Sequence, residues 1–139
     1  MITVGTELPA LTIDVTPTFV ISTALATRDF QDVHHDRDAA VMRGSQDIFL
    51  NILTDTGLVQ RFVTDWAGPR ALVKSIKIKL GVPCYAGDTL VLAGRVAELA
   101  GRVAKVEVTG TGQLGKHLTG TVSVELPSST EAPRAPEIR

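Results

Sequence analysis

Two textures of apolar spacing divide the chain. Between residues 49 and 66, Phe49, Ile52, Leu53, Val59, Phe62, Val63 and Trp66 recur mostly three and four positions apart, the spacing that lines one face of a helix. Ser45 is a good N-cap and Asp47 suits a first turn, so a long helix is expected to begin there. Gly57 weakens its middle, and Gly68-Pro69 ends it. After Pro69 the apolar residues alternate with polar ones over 73–80, 89–96, 103–108 and 118–126. In the first of these stretches Ile76, Ile78 and Leu80 interleave with Ser75, Lys77 and Lys79, the period of a sheet with one wet face. Turns are marked by Tyr85-Ala86-Gly87-Asp88, Ala100-Gly101 and Leu114-Gly115.

Ahead of the long helix, Phe19-Val20-Ile21-Ser22-Thr23-Ala24-Leu25 is short and rich in β-branched residues, which predicts a first strand. It leads into a polar loop from Thr27 to about Asp38. Asp36-Arg37-Asp38 followed by Ala39-Ala40-Val41-Met42 predicts a short helix that Gly44 terminates. Strand, loop, short helix, long helix and then several antiparallel strands make an α+β chain. A sheet wrapped around one helix leaves an edge free to pair with a second copy or a relative. No internal repeat supplies a second such unit, so it must come from another chain. Residues 1–126 are expected to form one domain. Pro127, Pro133 and Pro136 stand among small and charged residues and predict a disordered tail over 127–139.

Composition narrows the function. The 139 residues, 44% of them apolar, suit one domain with a real core. Lys and Arg number 14 against 15 Asp and Glu, so no net field gathers nucleic acid or an anionic membrane. Cys84 is the only cysteine, which rules out an intramolecular disulfide. It reads as a small buried residue rather than a nucleophile. The N-terminus has no charged start followed by an apolar run, and no stretch approaches the roughly 18 apolar residues of a membrane span, so a cytoplasmic location is expected. No Gly-rich loop follows a strand, hence no nucleotide cofactor is expected. His34 and His35 form the only close ligand pair, and adjacent side chains diverge, hence no metal is expected.

The polar loop reads Ala26-Thr27-Arg28-Asp29-Phe30-Gln31-Asp32-Val33-His34-His35-Asp36. Asp29 and His34 stand five apart in a non-helical segment, where the two side chains can converge on one water. A lone Asp or His in a loop usually serves a turn or a cap, and Asp36 fits the cap of the short helix. His35 reads as a solvent-facing neighbour, and His117, beside a Gly turn, is assigned no role.

The loop resembles the D-x-N-P-x-H motif of the MaoC-like (R)-specific enoyl-CoA hydratases, which has a second Asp two residues after the His. Asp29, His34 and Asp36 match, while Gln31 and Asp32 stand in the places of Asn and Pro. The resemblance runs over roughly residues 17–126. Residues 24–36 and 47–59 are similar to the small subunits of actinobacterial heteromeric steroid side-chain hydratases. It implies a single hot-dog fold, hydration of a 2-enoyl-CoA from cholesterol side-chain breakdown, and no cofactor. It further implies a larger MaoC-like partner in a heterodimer or heterotetramer, with a thiolase-like aldolase as a further partner through that subunit. By the same resemblance Asp29 is the acid/base and His34 orients and polarises the water. The oxyanion donor in relatives is a backbone N–H at a His-Gly pair starting the long helix, for which Asp47-Ile48 is the nearest counterpart here. Two rival readings remain: a hot-dog thioesterase using Asp47 or Asp55 of the central helix, and a non-catalytic chain that only completes another chain's pocket.

Overall fold

The computed structural model describes residues 1–128. The chain runs β1 (Glu7–Val15), α1 (Pro17–Ala26), a 3-10 turn (Asp32–His34), α2 (Arg37–Met42), α3 (Ile52–Ala67), β2 (Leu72–Leu80), β3 (Asp88–Ala100), β4 (Val103–Gly112) and β5 (Gly115–Glu125). The five strands form one antiparallel sheet in the order β1-β3-β4-β5-β2. The sheet packs around α3, which buries Leu58, Val59, Phe62 and Val63 among Leu90, Leu92, Val96, Val106, Val108, Leu118, Val122 and Val124. This is the hot-dog arrangement, in the α+β class.

The helix approaches the sheet closely at one point. A Cβ on Gly94 of β3 would stand 2.9 Å from the Phe62 ring and 2.7 Å from the Glu107 carbonyl oxygen. Glycine is what lets the ring come this close to the strand. Burying a side chain of that size contributes about 2 to 3 kcal/mol. Gly57 does not interrupt α3, and the helix stops at Gly68, whose φ of 91° needs no Cβ to be accommodated.

The structure departs from expectation at three places. Residues 19–25 are helical, not a strand. Thr16 caps α1 by accepting the Phe19 N–H at 3.0 Å, and Pro17 takes a first-turn position for which its fixed φ is suited. The buried residues of α1 are Val20 and Ala24, four apart, so the helical period overrides the β-branched composition. Second, α3 begins at Ile52, not at Ser45. Residues 48–50 run extended beside the 84–86 segment, with Leu50 N–H donating to the Cys84 carbonyl at 3.1 Å and Ala86 N–H to the Ile48 carbonyl at 3.0 Å. Ile48 and Leu50 are buried there and Phe49 between them is partly exposed, which is the period of a strand. Third, β1 was not anticipated. Pro9 lies in it, and its position at the sheet edge, where the pairing with β3 shifts between Leu8 and Leu11, tolerates a missing N–H.

The tail expected over 127–139 lies almost wholly outside the described residues. Among those described, no helix is long and apolar enough to cross a membrane.

Candidate active site

Helix α1 ends in a way that fixes Asp29. The Arg28 N–H donates to the Leu25 carbonyl and the Asp29 N–H to the Ala24 carbonyl, at 3.0 and 2.9 Å. This paired closure is a Schellman motif, with Arg28 as its left-handed residue at φ 56°. A non-glycine residue there carries about 1 to 2 kcal/mol of strain. Asp29 follows immediately and accepts the Gln31 N–H on Oδ1 at 3.3 Å. The chain then makes its 3-10 turn, which delivers His34 into the body of the domain.

His34 is 7% exposed. Its Nδ1 lies 2.7 Å from the Phe49 carbonyl oxygen. A carbonyl only accepts, so Nδ1 carries the proton and Nε2 of the neutral ring is an acceptor. The Phe49 ring meets the imidazole edge to face at 4.8 Å and restricts its rotation. Nε2 points towards Asp29 Oδ2 across 3.6 Å, which is too far for a direct hydrogen bond. Two acceptors facing one gap can take both O–H bonds of a single water and leave its oxygen lone pair free to attack.

The start of α3 closes the other side. Asn51 is the N-cap residue by backbone, is 2% exposed, and makes no capping bond with its side chain. That forgoes about 1 kcal/mol of helix stabilisation. Its Nδ2 instead donates to Thr27 Oγ1 at 2.9 Å and to Asp29 Oδ2 at 3.2 Å, while its Oδ1 accepts from the Thr54 hydroxyl. Sequence reasoning passed over Asn51 because the helix start was placed six residues too early; an Asn two residues before a Leu-Thr-Asp first turn was the available signal.

The other expected residues take structural places. Asp36 caps α2 through the Ala39 N–H at 3.1 Å, and His35 Nε2 donates to the Phe30 carbonyl at 3.1 Å. Asp32 pairs with Arg43 at 2.8 Å. Asp47 and Ile48 do not head the helix: the Ile48 N–H donates to Asp47 Oδ1 at 2.7 Å, and that carboxylate also lies 3.6 Å from Arg37. The N–H groups at the head of α3 belong to Ile52, Leu53 and Thr54. Cys84 is fully buried, and burial, with Asp88 beside it, pushes its thiol up to about 12, far from a nucleophile. Among the described residues no group of three or more His, Cys, Asp or Glu is placed to hold a metal.

A second Asp–His pair lies deeper. His117 of β5, read from sequence as a turn neighbour, is an inward-facing residue whose Nε2 lies 2.8 Å from Asp55 Oδ2 of α3. Its Nδ1 donates to the Val82 carbonyl at 2.7 Å. Asp55 is fully buried, and its Oδ1 has no partner among the described residues. Burial, partly offset by the His117 hydrogen bond and charge, raises the Asp55 pKa. Burial alone would lower that of His117, but the Asp55 hydrogen bond and charge and the Val82 carbonyl outweigh it and the net direction is upward.

The chain is 59% identical over 129 residues to the beta subunit of the 3-oxo-4,17-pregnadiene-20-carboxyl-CoA hydratase of Mycobacterium tuberculosis, covering 93% of this chain and all of that one. The chain belongs to the MaoC-like hydratases. It superposes on a chain of the crystal structure of the ChsH1-ChsH2 complex from the same organism with a TM-score of 0.90 at 59% identity, over 91% of this chain and all of that one. The (R)-hydratase of A. caviae shares the fold of this MaoC-like hydratase chain at 19% identity, with a TM-score of 0.83 over 91% of this chain and 98% of that one. No family model matches the sequence. The reaction class of the family is enoyl-CoA hydration, and this chain is an enoyl-CoA hydratase subunit.

Proposed function

We propose that this chain is the catalytic subunit of a heteromeric hydratase that adds water to a steroid side-chain 2-enoyl-CoA, with a larger MaoC-like chain completing the pocket. The observation that carries the reading is the pair of acceptors, Asp29 Oδ2 and His34 Nε2, that face each other across 3.6 Å. Attack of water on the β-carbon requires one proton to leave the water and one to reach the α-carbon. A water held by both groups loses its proton to Asp29, and the resulting carboxylic acid returns it to the α-carbon. His34, kept in one tautomer by the Phe49 carbonyl, orients the water. Charge that builds on the thioester oxygen falls within reach of a helix N-terminus, and the N–H groups at the head of α3 suit that place better than the Ile48 N–H, which Asp47 already occupies.

The surface around the pair supports a shared pocket. Phe30, next to Asp29, and Ile52 and Leu53, on the first turn of α3, are all about half exposed or more. A single hot dog offers too little concave surface to enclose a CoA arm and a ring system, whereas a pocket shared between two hot dogs can. The relative from M. tuberculosis is named as one subunit of a hydratase, and its structural counterpart is a two-protein complex. The thioesterase reading needs a free carboxylate on the central helix. Asp55 is sealed against His117 and Asp47 lies ahead of the helix, so neither of the two candidate carboxylates serves that chemistry.

Co-expression with a larger MaoC-like chain, followed by assay with 3-oxo-4,17-pregnadiene-20-carboxyl-CoA, the substrate in the relative's name, tests the proposal. Reversible loss of enoyl absorbance without free thiol is expected, with this chain alone weakly active or inactive. Stoichiometric CoA release would establish the thioesterase instead. Full activity of a homodimer would remove the heteromer from the account and leave the catalytic pair.

A further inference from the structure

We propose that Asn51 is a positioning residue for the hydration: its buried carboxamide holds the Asp29 carboxylate beside His34, and it gives up the capping of α3 to do so. The inference rests on the reading of Asp29 and His34 as the water-holding pair.

The backbone of Asn51, at φ −90° and ψ 159°, is that of an N-cap, and Asn is among the best residues there. A side chain with only that task would turn to the N–H groups of its own helix. This one is fully committed elsewhere. Thr27 donates its hydroxyl proton to the Thr23 carbonyl at 2.8 Å, so its oxygen can only accept from Asn51 Nδ2. The second Nδ2 proton falls to Asp29 Oδ2, and Thr54 donates to Oδ1. Turned over, the amide would set its oxygen against a carboxylate and a hydroxyl whose proton is already used, so the network admits one orientation. The bond to Asp29 reaches the same oxygen that faces His34. With Gln31 N–H on the other oxygen, donors from two segments fix the rotation of the carboxylate. Asn51 also ties the end of α1, through Thr27, to the start of α3.

The informative variant is Asn51→Asp in the enzyme assembled with its larger chain. Asp caps a helix as well as Asn does, and one of its oxygens can still accept from Thr54, but the other faces Asp29 with no proton to give. A residue that merely starts the helix tolerates this change. The positioning role predicts a fall in kcat of about tenfold or more at neutral pH, with KM for the same acyl-CoA within about threefold. The ratio to wild type should narrow as pH falls and the new carboxyl gains a proton it can donate. Asn51→Ala, which introduces no charge, serves if the first variant does not assemble, and about a fivefold or larger loss in kcat is expected. In an Asp29→Asn background the same Asn51→Ala change should add no further loss, since no carboxylate is left to position. Normal kcat in the variant that assembles, or an undiminished loss in the Asp29→Asn background, overturns the proposal. Normal turnover of Asp29→Asn overturns both readings, whereas normal turnover of Asn51→Asp alone overturns only this one.

Discussion

The chain contains two Asp–His pairs built from the same atoms and set in opposite geometries. In the pair Asp55 and His117 the side chains are 0% and 3% exposed and bonded directly at 2.8 Å. In the pair Asp29 and His34 they are 18% and 8% exposed and stand 3.6 Å apart. In each, a backbone carbonyl, that of Val82 or of Phe49, takes the Nδ1 proton and points Nε2 at the carboxylate. The ring orientation is therefore set in the same way, and the gap makes the difference. A closed pair bonded directly and sealed from solvent leaves no place for a reactant. An open one leaves two acceptors that a water, with two protons, can bridge. The presence of an Asp and a His is thus weaker evidence of catalysis than the distance and access between them.

The comparison can be broken hardest at the buried pair. Asp55→Ala or His117→Ala strands the surviving partner in the core, and a loss of about 3 to 5 kcal/mol is expected in chemical denaturation. A loss no larger than that of an ordinary surface substitution would show that the pair is not the structural one.

The titration of that pair gives a smaller and more specific effect. His117 and Asp55 both have raised values in the folded chain, so the folded state holds protons that the unfolded chain releases. The stabilisation from His117 is therefore fully present below its unfolded value of about 6.5 and is lost as pH rises through the folded value, at no more than about 1.4 kcal/mol per pH unit for one proton. In Asp55→Asn the ion-pair contribution disappears while burial remains, so His117 should then resist protonation. The melting-temperature difference between wild type and Asp55→Asn should shrink as pH rises above 6.5. A difference that does not change with pH would contradict the assignment.

A still smaller effect is expected at the open pair's support. Arg28 holds a left-handed conformation that glycine adopts without strain, and Arg28→Gly should stabilise the chain by about 1 kcal/mol or less, since glycine also adds freedom to the unfolded state. A clear destabilisation in thermal melting would mean that the Arg28 side chain contributes more than its backbone costs.

Much of this arrangement was legible in the order of residues. The alternation over β2 to β5 and the three-and-four spacing of Val59, Phe62 and Val63 are properties of local chain geometry, and they hold. The loop motif named Asp29 and His34. What escaped was set by tertiary context. Phe19 to Leu25 carries a strand composition, but Thr16-Pro17 in front of it makes a helix start that composition obscures. Residues 48–50 fall inside the span expected to be helical, and the 84–86 segment that holds them extended lies far along the chain. Asp55 and His117 are 62 residues apart in sequence, and no local pattern joins them. Nor can a motif state a separation, and in the proposed reading of Asp29 and His34 the separation carries the chemistry.

The central claim is that hydration occurs at the open pair. Its most direct test is the single-turnover rate of enoyl-CoA hydration by the assembled enzyme carrying Asp29→Asn or His34→Ala, with assembly and melting temperature matched to wild type. Each substitution removes one of the two acceptors on the water, and a loss of about 100-fold or more is expected from either. Wild-type rates in either variant, with the fold intact, would contradict the account.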